Sequence, residues 1–398
     1  MHSDESVSYW NLVSAWRSRG RLRAKTARSV AFDRLGALPY GFRSRPRRVV
    51  DLPLYWVALI GFAIINFFLV SASVLVYYER KVSGWIQNRP GPNRVGPWGF
   101  LQPFADVAKL IFKEDISPTA SSPFIHSLAP VLMVTIAMTT AALIPFARGF
   151  VIVDTEVSAL LVLALTSIAV YGVTLAGWSS NSKFSLLGGL RSSAQMISYE
   201  LAMGLSVLTV VLITGSLRLV DIVEYQNGPG AWGILGWNVF RAPIAALIFI
   251  VTAFAETNRA PFDLPEAEQE LVGGYHTEYS GMKFGMFFLA EYVNFFVASF
   301  VIVTLFFGGY LLPWEDALLS ALPGLKDSVL LGVLQVLSLL LKAAFFAFVF
   351  IWVRWTLPRF KYQQLMTLGW KMLLPIALAN VVLYALFFTF KALLGWGG

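Results

Sequence analysis

The chain contains no cysteine, which removes thiolate-held iron–sulfur clusters, disulfides and thiol catalysis together. Histidine is nearly as scarce: His2, His126 and His276 stand far apart, so neither a histidine-ligated haem pair nor a histidine-built metal site is expected. Lone methionines in apolar helices are read as packing residues. Charge is sparse too, at 14% of the 398 residues against 57% hydrophobic, with a mean hydropathy of +0.66. One soluble core cannot use that much apolar surface, so a bilayer has to supply the rest of the environment. The net charge of +8 then belongs in loops and tails that meet anionic lipid or acidic partner subunits, and nucleic acid is not expected as a partner. Electrons for any redox chemistry must come from a partner chain.

What the chain has in excess is apolar length. Eight runs are long enough for a spanning helix of roughly 20 residues: about 54–77, 125–146, 157–178, 195–214, 240–258, 284–312, 329–353 and 372–394. The expected fold is an all-α polytopic membrane protein, with residues 54–398 as its membrane domain. Basic residues gather on one side of these spans: Arg80, Lys81, Arg89, Arg94, Lys109 and Lys113, then Lys183 and Arg191, then Arg354, Arg359, Lys361 and Lys371. The other side has little more than Arg148, Arg218 and Lys326, so the first set is assigned to the cytoplasm or matrix. Eight spans place both termini outside, and residues 1–53, a basic N-terminal extension, then run against the positive-inside tendency. A cleaved presequence is the rival reading; Asp4 and Glu5 count against it, because transit peptides are poor in acids.

Two loops carry the chemistry. The first contains NRPGPNRVGPWG, whose prolines and glycines forbid regular structure and which lacks the ending of a phosphate loop. From Leu101 to Glu114 the pattern turns helical: Leu101, Phe104, Ala108 and Ile111 share one face, with Gln102, Asp106, Lys109 and Lys113 opposite. This predicts an amphipathic helix in the inner interface, either a simple anchor or the floor of a cavity for an amphipathic lipid such as a quinone.

The second loop is acidic. Glu256, Asp263, Glu266, Glu268, Glu270, Glu278 and Glu291 crowd one short stretch. Pro265 can open a helix whose first turns hold Glu266, Glu268 and Glu270, so a solvated helix start explains part of the cluster. Acids continue into the apolar zone, with Glu200 one to two turns into the fourth span and Glu291 at a similar depth in the sixth; Lys342 lies mid-way along the seventh. Ionisable groups at such depth mark a polar pathway or, in the blander case, a structural Glu–Lys pair. Pro261 and Pro265 hold the loop away from regular helix, so side-chain pairing must fix it. Arg259 is the nearest partner for Asp263, with Arg80 and Arg94 as alternatives.

The segments ERKVSGWIQNRPGPNRVGPWGFLQPFADVAKLIFKEDISP, AGWSSNSKFSLLGGLRSSAQMISYE, ETNRAPFDLPEAEQELVGGYHTEYSGM and IWVRWTLPRFKYQQLMTLGWK closely resemble the quinone-site membrane subunit of NADH-quinone oxidoreductase, respiratory complex I. The resemblance runs from about residue 54 to the C-terminus. It implies a proton-pumping translocase subunit with quinone as substrate and no metal, haem, flavin or iron–sulfur cluster of its own. Its implied partners are other complex I membrane subunits, the peripheral iron–sulfur and quinone-site subunits, and membrane lipid. It also implies a quinone cavity involving Glu79, Arg80, Arg94, Phe104, Ile111, Arg259 and Asp263. An acidic funnel follows, of Glu200, Glu266, Glu268, Glu270, Glu278 and Glu291, with Lys342 added from its depth. Glu256 is set aside, since the family pattern does not require an acid there. The expected location is a bacterial plasma membrane, with the mitochondrial inner membrane as alternative. A related subunit of membrane-bound hydrogenases and a proton antiporter or channel are the rival functions.

Overall fold

Prolines and short polar stretches decide where the helices begin and end. The structure, a computed structural model, describes residues 53–227, 233–263, 272–322, 324 and 328–394. Apart from Pro53, the basic extension lies outside the described residues, and so do Glu266, Glu268 and Glu270. Helix α1 is Leu54–Ile86, α2 is Gln102–Phe112, α3 is Pro123–Ala141 and α4 is Ser158–Ser179. They are followed by α5, Lys183–Thr214, the short α6, Leu219–Tyr225, and α7, Pro243–Glu256. Helix α8 is Gly281–Phe306, α9 is Glu315–Ala321 and α10 is Val329–Thr356. Helix α11 starts as Tyr362–Thr367, widens into a π-turn over Leu368–Leu373 and continues as Leu374–Leu393. A two-stranded antiparallel ribbon, β1 (Pro145–Ala147) with β2 (Phe150–Val151), follows α3.

Among the described residues seven helices are long and apolar enough to cross a membrane: α1, α3, α4, α5, α8, α10 and α11. The fifth expected span is shorter than its apolar run. Pro243 starts α7 at its first turn, and Ala242 before it leaves helical geometry, as a residue preceding proline does. Fourteen residues remain, about 21 Å at 1.5 Å per residue, less than a hydrocarbon core of roughly 30 Å.

Other boundaries shift in ways that matter for the site. Helix α1 continues through Glu79, Arg80 and Lys81, so these sit on a helix and not in a loop. Helix α5 begins at Lys183, twelve residues before the expected start. Glu200 therefore lies about 25 Å along the helix, near its middle rather than one to two turns in. The sixth span ends at Phe306, where Gly308 and Gly309 take positive φ values of 73° and 50° and break it.

Helix α8 is central, packed against α1, α3 and α10, and contributes the fully buried rings Phe295, Phe300 and Phe306. Lipid tails are as apolar as these rings, so close packing, not transfer from water, is what holds the bundle. Backbones approach closely where α5 meets the segment returning to α8. A Cβ at Gly188 would stand 2.7 Å from the Gly274 Cα and 2.8 Å from the Tyr275 nitrogen. Ser185 fastens the same turn by donating to the Tyr275 carbonyl at 2.9 Å. Gly188→Val is therefore expected to push the turn off α5 at a cost of roughly 1–3 kcal/mol. Limited proteolysis of the assembled protein should show faster cleavage between α7 and α8; unchanged cleavage would mean the turn is not seated there.

Candidate functional site

Three helices and two loops bring a set of charges together at the basic end of the bundle. Glu79, on the last turns of α1, is 4% exposed and accepts from two guanidiniums. Arg259 Nη1 donates to its Oε2 at 2.8 Å, and Arg354 Nη1, near the end of α10, donates to its Oε1 at 2.5 Å. Arg259 is 2% exposed and lies with its guanidinium over the rings of Tyr292 and Phe295, at 4.4 and 4.2 Å. Its Nε stands 3.0 Å from Glu291 Oε1, in a geometry that leaves Nε and Nη2 without a completed hydrogen bond. Asp263, at the end of the same segment, is buried and accepts from Arg359 Nη2 at 2.7 Å, while its Oδ1 has no partner among the described residues.

Three carboxylates, Glu79, Asp263 and Glu291, thus meet three guanidiniums, Arg259, Arg354 and Arg359. Buried charges are tolerable only in such balance, because an unpaired one costs several kcal/mol (of order 3–5). Asp263 does not pair with Arg259 as its place in sequence suggests, nor with Arg80 or Arg94. Arg259 turns inward to Glu79, and Arg359, far along the chain, takes Asp263 instead. Burial pushes the Asp263 carboxyl up to about 6; Arg359 and Arg354 draw it back and Glu291 adds to the rise.

The remaining expected residues distribute unevenly. Arg80 pairs with Asp106 on α2 at 2.5 Å, a partly exposed tie between α1 and the amphipathic helix. Arg94 is exposed in the loop, outside the cluster. On α2, Phe104 and Ile111 are 53% and 59% exposed, so the apolar face of this helix is left uncovered by the chain itself. Glu278 is half-buried in the turn before α8 and makes no ion pair among the described residues. Among the described residues Lys342 makes no ion pair with Glu200, Glu278 or Glu291. Its ammonium donates to the carbonyls of Phe307, Gly309 and Leu311 at 3.0, 3.1 and 2.6 Å and lies 4.6 Å from the Trp237 ring. It caps the far end of α8, so the Glu–Lys pair anticipated as the bland alternative does not form.

Glu256, set aside on sequence, is brought in by geometry. It ends α7 three residues before Arg259 and lines an internal cavity with Thr140, Thr166, Thr257, Asn294 and otherwise apolar neighbours. The cavity leaves about 60 Å³ for the centres of water-sized molecules, enough for a few waters where polar groups hold them. Glu256 Oε2 is buried with no hydrogen-bond partner among the described residues, and Glu200 is near enough to act on it electrostatically. Ser167 on α4 donates to Glu200 Oε1. The one signal for Glu256 in the sequence is its position at the end of an apolar run directly before an arginine and an acidic loop.

Together these features define a polytopic helical membrane protein with a charge-balanced cluster at one end and, beyond it, the carboxylates Glu256 and Glu200. A profile of the family described as NADH dehydrogenase matches residues 59–385. The chain is 75% identical over 337 residues to NADH-quinone oxidoreductase subunit 8 of Rhodothermus marinus, covering 85% of this chain and 98% of that one. It is 70% identical over 333 residues to an NADH-quinone oxidoreductase subunit of Salinibacter ruber, with 84% and 96% covered. An NADH-quinone oxidoreductase subunit of Rhodospirillum centenum is 50% identical over 319 residues, with 80% and 89% covered. The chain belongs to this NADH dehydrogenase family.

Proposed function

We propose that the chain is the membrane subunit of a bacterial proton-pumping NADH:quinone oxidoreductase, forming the cavity through which quinone enters and the acidic route that couples its reduction to proton movement. The observation that carries this reading is the six-charge cluster, buried except for Arg359, which is tied toward α2 by the neighbouring Arg80–Asp106 pair and reaches the Glu256 cavity through the segment 256–259. The uncovered apolar face of α2 suits a lipid-soluble substrate at the membrane surface. Peripheral iron–sulfur and quinone-site subunits would supply two electrons, and the quinone oxygens take up two protons as quinol forms. Other membrane subunits would receive the charge signal from Glu200.

The cluster responds because its balance is expensive to disturb. Adding or removing one charge nearby shifts the proton affinity of each buried neighbour, and coupled groups then titrate as a set. Asp263 is suited to respond first, since burial already holds it near 6. Its proton would free Arg359, and Glu291, Glu256 and Glu200 are the acids placed to follow.

This predicts that quinone reduction falls as the pH drops through about 6, when protonation of Asp263 opens its pair with Arg359. The folded chain holds that proton more tightly than the unfolded chain, so the group favours folding at low pH and this contribution is lost as the pH rises through about 6. Acid unfolding through Asp263 is thereby excluded as the cause. Asp263→Asn should reduce quinone-linked activity by about tenfold or more and remove this acid limb. Electron transfer from NADH to ferricyanide, which bypasses the membrane subunit, should persist. An assembled Asp263→Asn complex with intact quinone reduction would reject the site.

A further inference from the structure

Gln195 lies on α5, fully buried, five residues before Glu200. Its amide nitrogen donates to the carbonyl of Ala255 at 2.9 Å and to that of Phe262 at 2.8 Å, with Asn258 Oδ1 at 3.4 Å. Both amide hydrogens are thereby used. The reversed amide would set its oxygen against two carbonyl oxygens, so the surroundings fix its orientation. Ala255 is in the last turn of α7, where carbonyls lack a helical partner. Phe262 follows Pro261, beyond the helix. One side chain therefore fastens both ends of the segment 255–262.

That segment carries Glu256 toward the cavity and Arg259 into the ion cluster, and it runs directly into Asp263. Its backbone is held at single points: Phe262 N donates to Arg259 O at 2.8 Å, Thr257 N to Ala253 O at 3.2 Å and Asn258 N to Ala255 O at 3.4 Å, while Pro261 O accepts from Phe360 N at 3.1 Å. Asn258 itself takes a left-handed φ of 51°. Gln195 Oε1 is buried with no hydrogen-bond partner among the described residues.

We propose that Gln195 is a positioning residue whose amide clips the turn joining Glu256 to Arg259 and Asp263, so that a charge change in the ion cluster is transmitted to the cavity acids through that turn. The proposal rests on the function proposed above. If Asp263→Asn reduced quinone normally, that reading would fail; a normal Gln195 variant beside a defective Asp263→Asn would overturn this proposal alone.

The test uses Gln195→Met and Gln195→Glu in the intact complex, reading quinone reduction, the Michaelis constant for quinone and proton uptake per quinone reduced, from pH 6 to 8. Gln195→Met keeps the length but donates to neither carbonyl. Proton uptake per turnover is expected to fall about twofold or more and the rate about tenfold, with the Michaelis constant little changed. Gln195→Glu repels both carbonyls when ionised and regains one donor when protonated, so its rate should exceed that of Gln195→Met by about threefold or more toward pH 6. This recovery toward acid is opposite in sign to the native profile. Normal proton uptake in both variants would overturn the proposal. So would equal losses with no acid recovery in Gln195→Glu, or failure of both to assemble, either of which makes the amide a requirement of the fold alone.

Discussion

Replacing Glu79 by Gln is expected to have the largest effect of any single change at the site. The amide keeps the volume but leaves Arg259 and Arg354, both held by this carboxylate, with an uncompensated charge in a dry interior. Breaking a buried ion pair by removing one partner costs roughly 3–5 kcal/mol. Two outcomes follow: less assembled complex, and quinone reduction lowered by about a hundredfold in what assembles. The amount of complex that purifies intact with this subunit serves to count assembled complexes. Glu79→Asp, which keeps the charge on a shorter stem, should recover part of the activity. A Glu79→Gln complex that assembles and reduces quinone normally would show that the six charges are not interdependent.

The second large effect concerns pumping. Glu256→Gln and Glu200→Gln keep shape and polarity but cannot titrate; Gln at 200 can still accept from Ser167. In membrane vesicles both variants should take up protons about tenfold or more slowly, with assembly preserved. Full pumping by both would make the cavity a packing fault and Glu256 a buried acid without a task.

The bundle is legible in the sequence because apolar length reports directly on the bilayer, and seven of the eight runs form helices long enough to cross it. Run length misleads where a proline sits inside the run, as at Pro243, or where small residues look like a loop. In GGLRSS, glycine and serine are interior positions of α5, and Gly188 lets the loop backbone approach closely. Membership of the cluster is half legible. Glu79, Arg259, Asp263 and Glu291 stand out by charge density, but their pairing does not, because Arg359 is 96 residues from Asp263 and Arg354 is 275 from Glu79. In the sequence Arg354 and Arg359 carry only a topological signal. Depth in a helix likewise suggests a pathway for Lys342, whereas the glycine pair that ends α8 leaves carbonyls that its ammonium caps.

The proposed entry of quinone to the ion cluster past α2 is the step on which the rest depends. It can be tested by photolabelling the intact complex with an azide-bearing quinone analogue and mapping the modified peptides. Label is expected on α2, on the inner end of α1 or on the segment 257–263, displaced by excess unmodified quinone and lost from α2 when Phe104→Asp places a charge on its apolar face. Displaceable label confined to other subunits, with none on these segments, would contradict entry past α2.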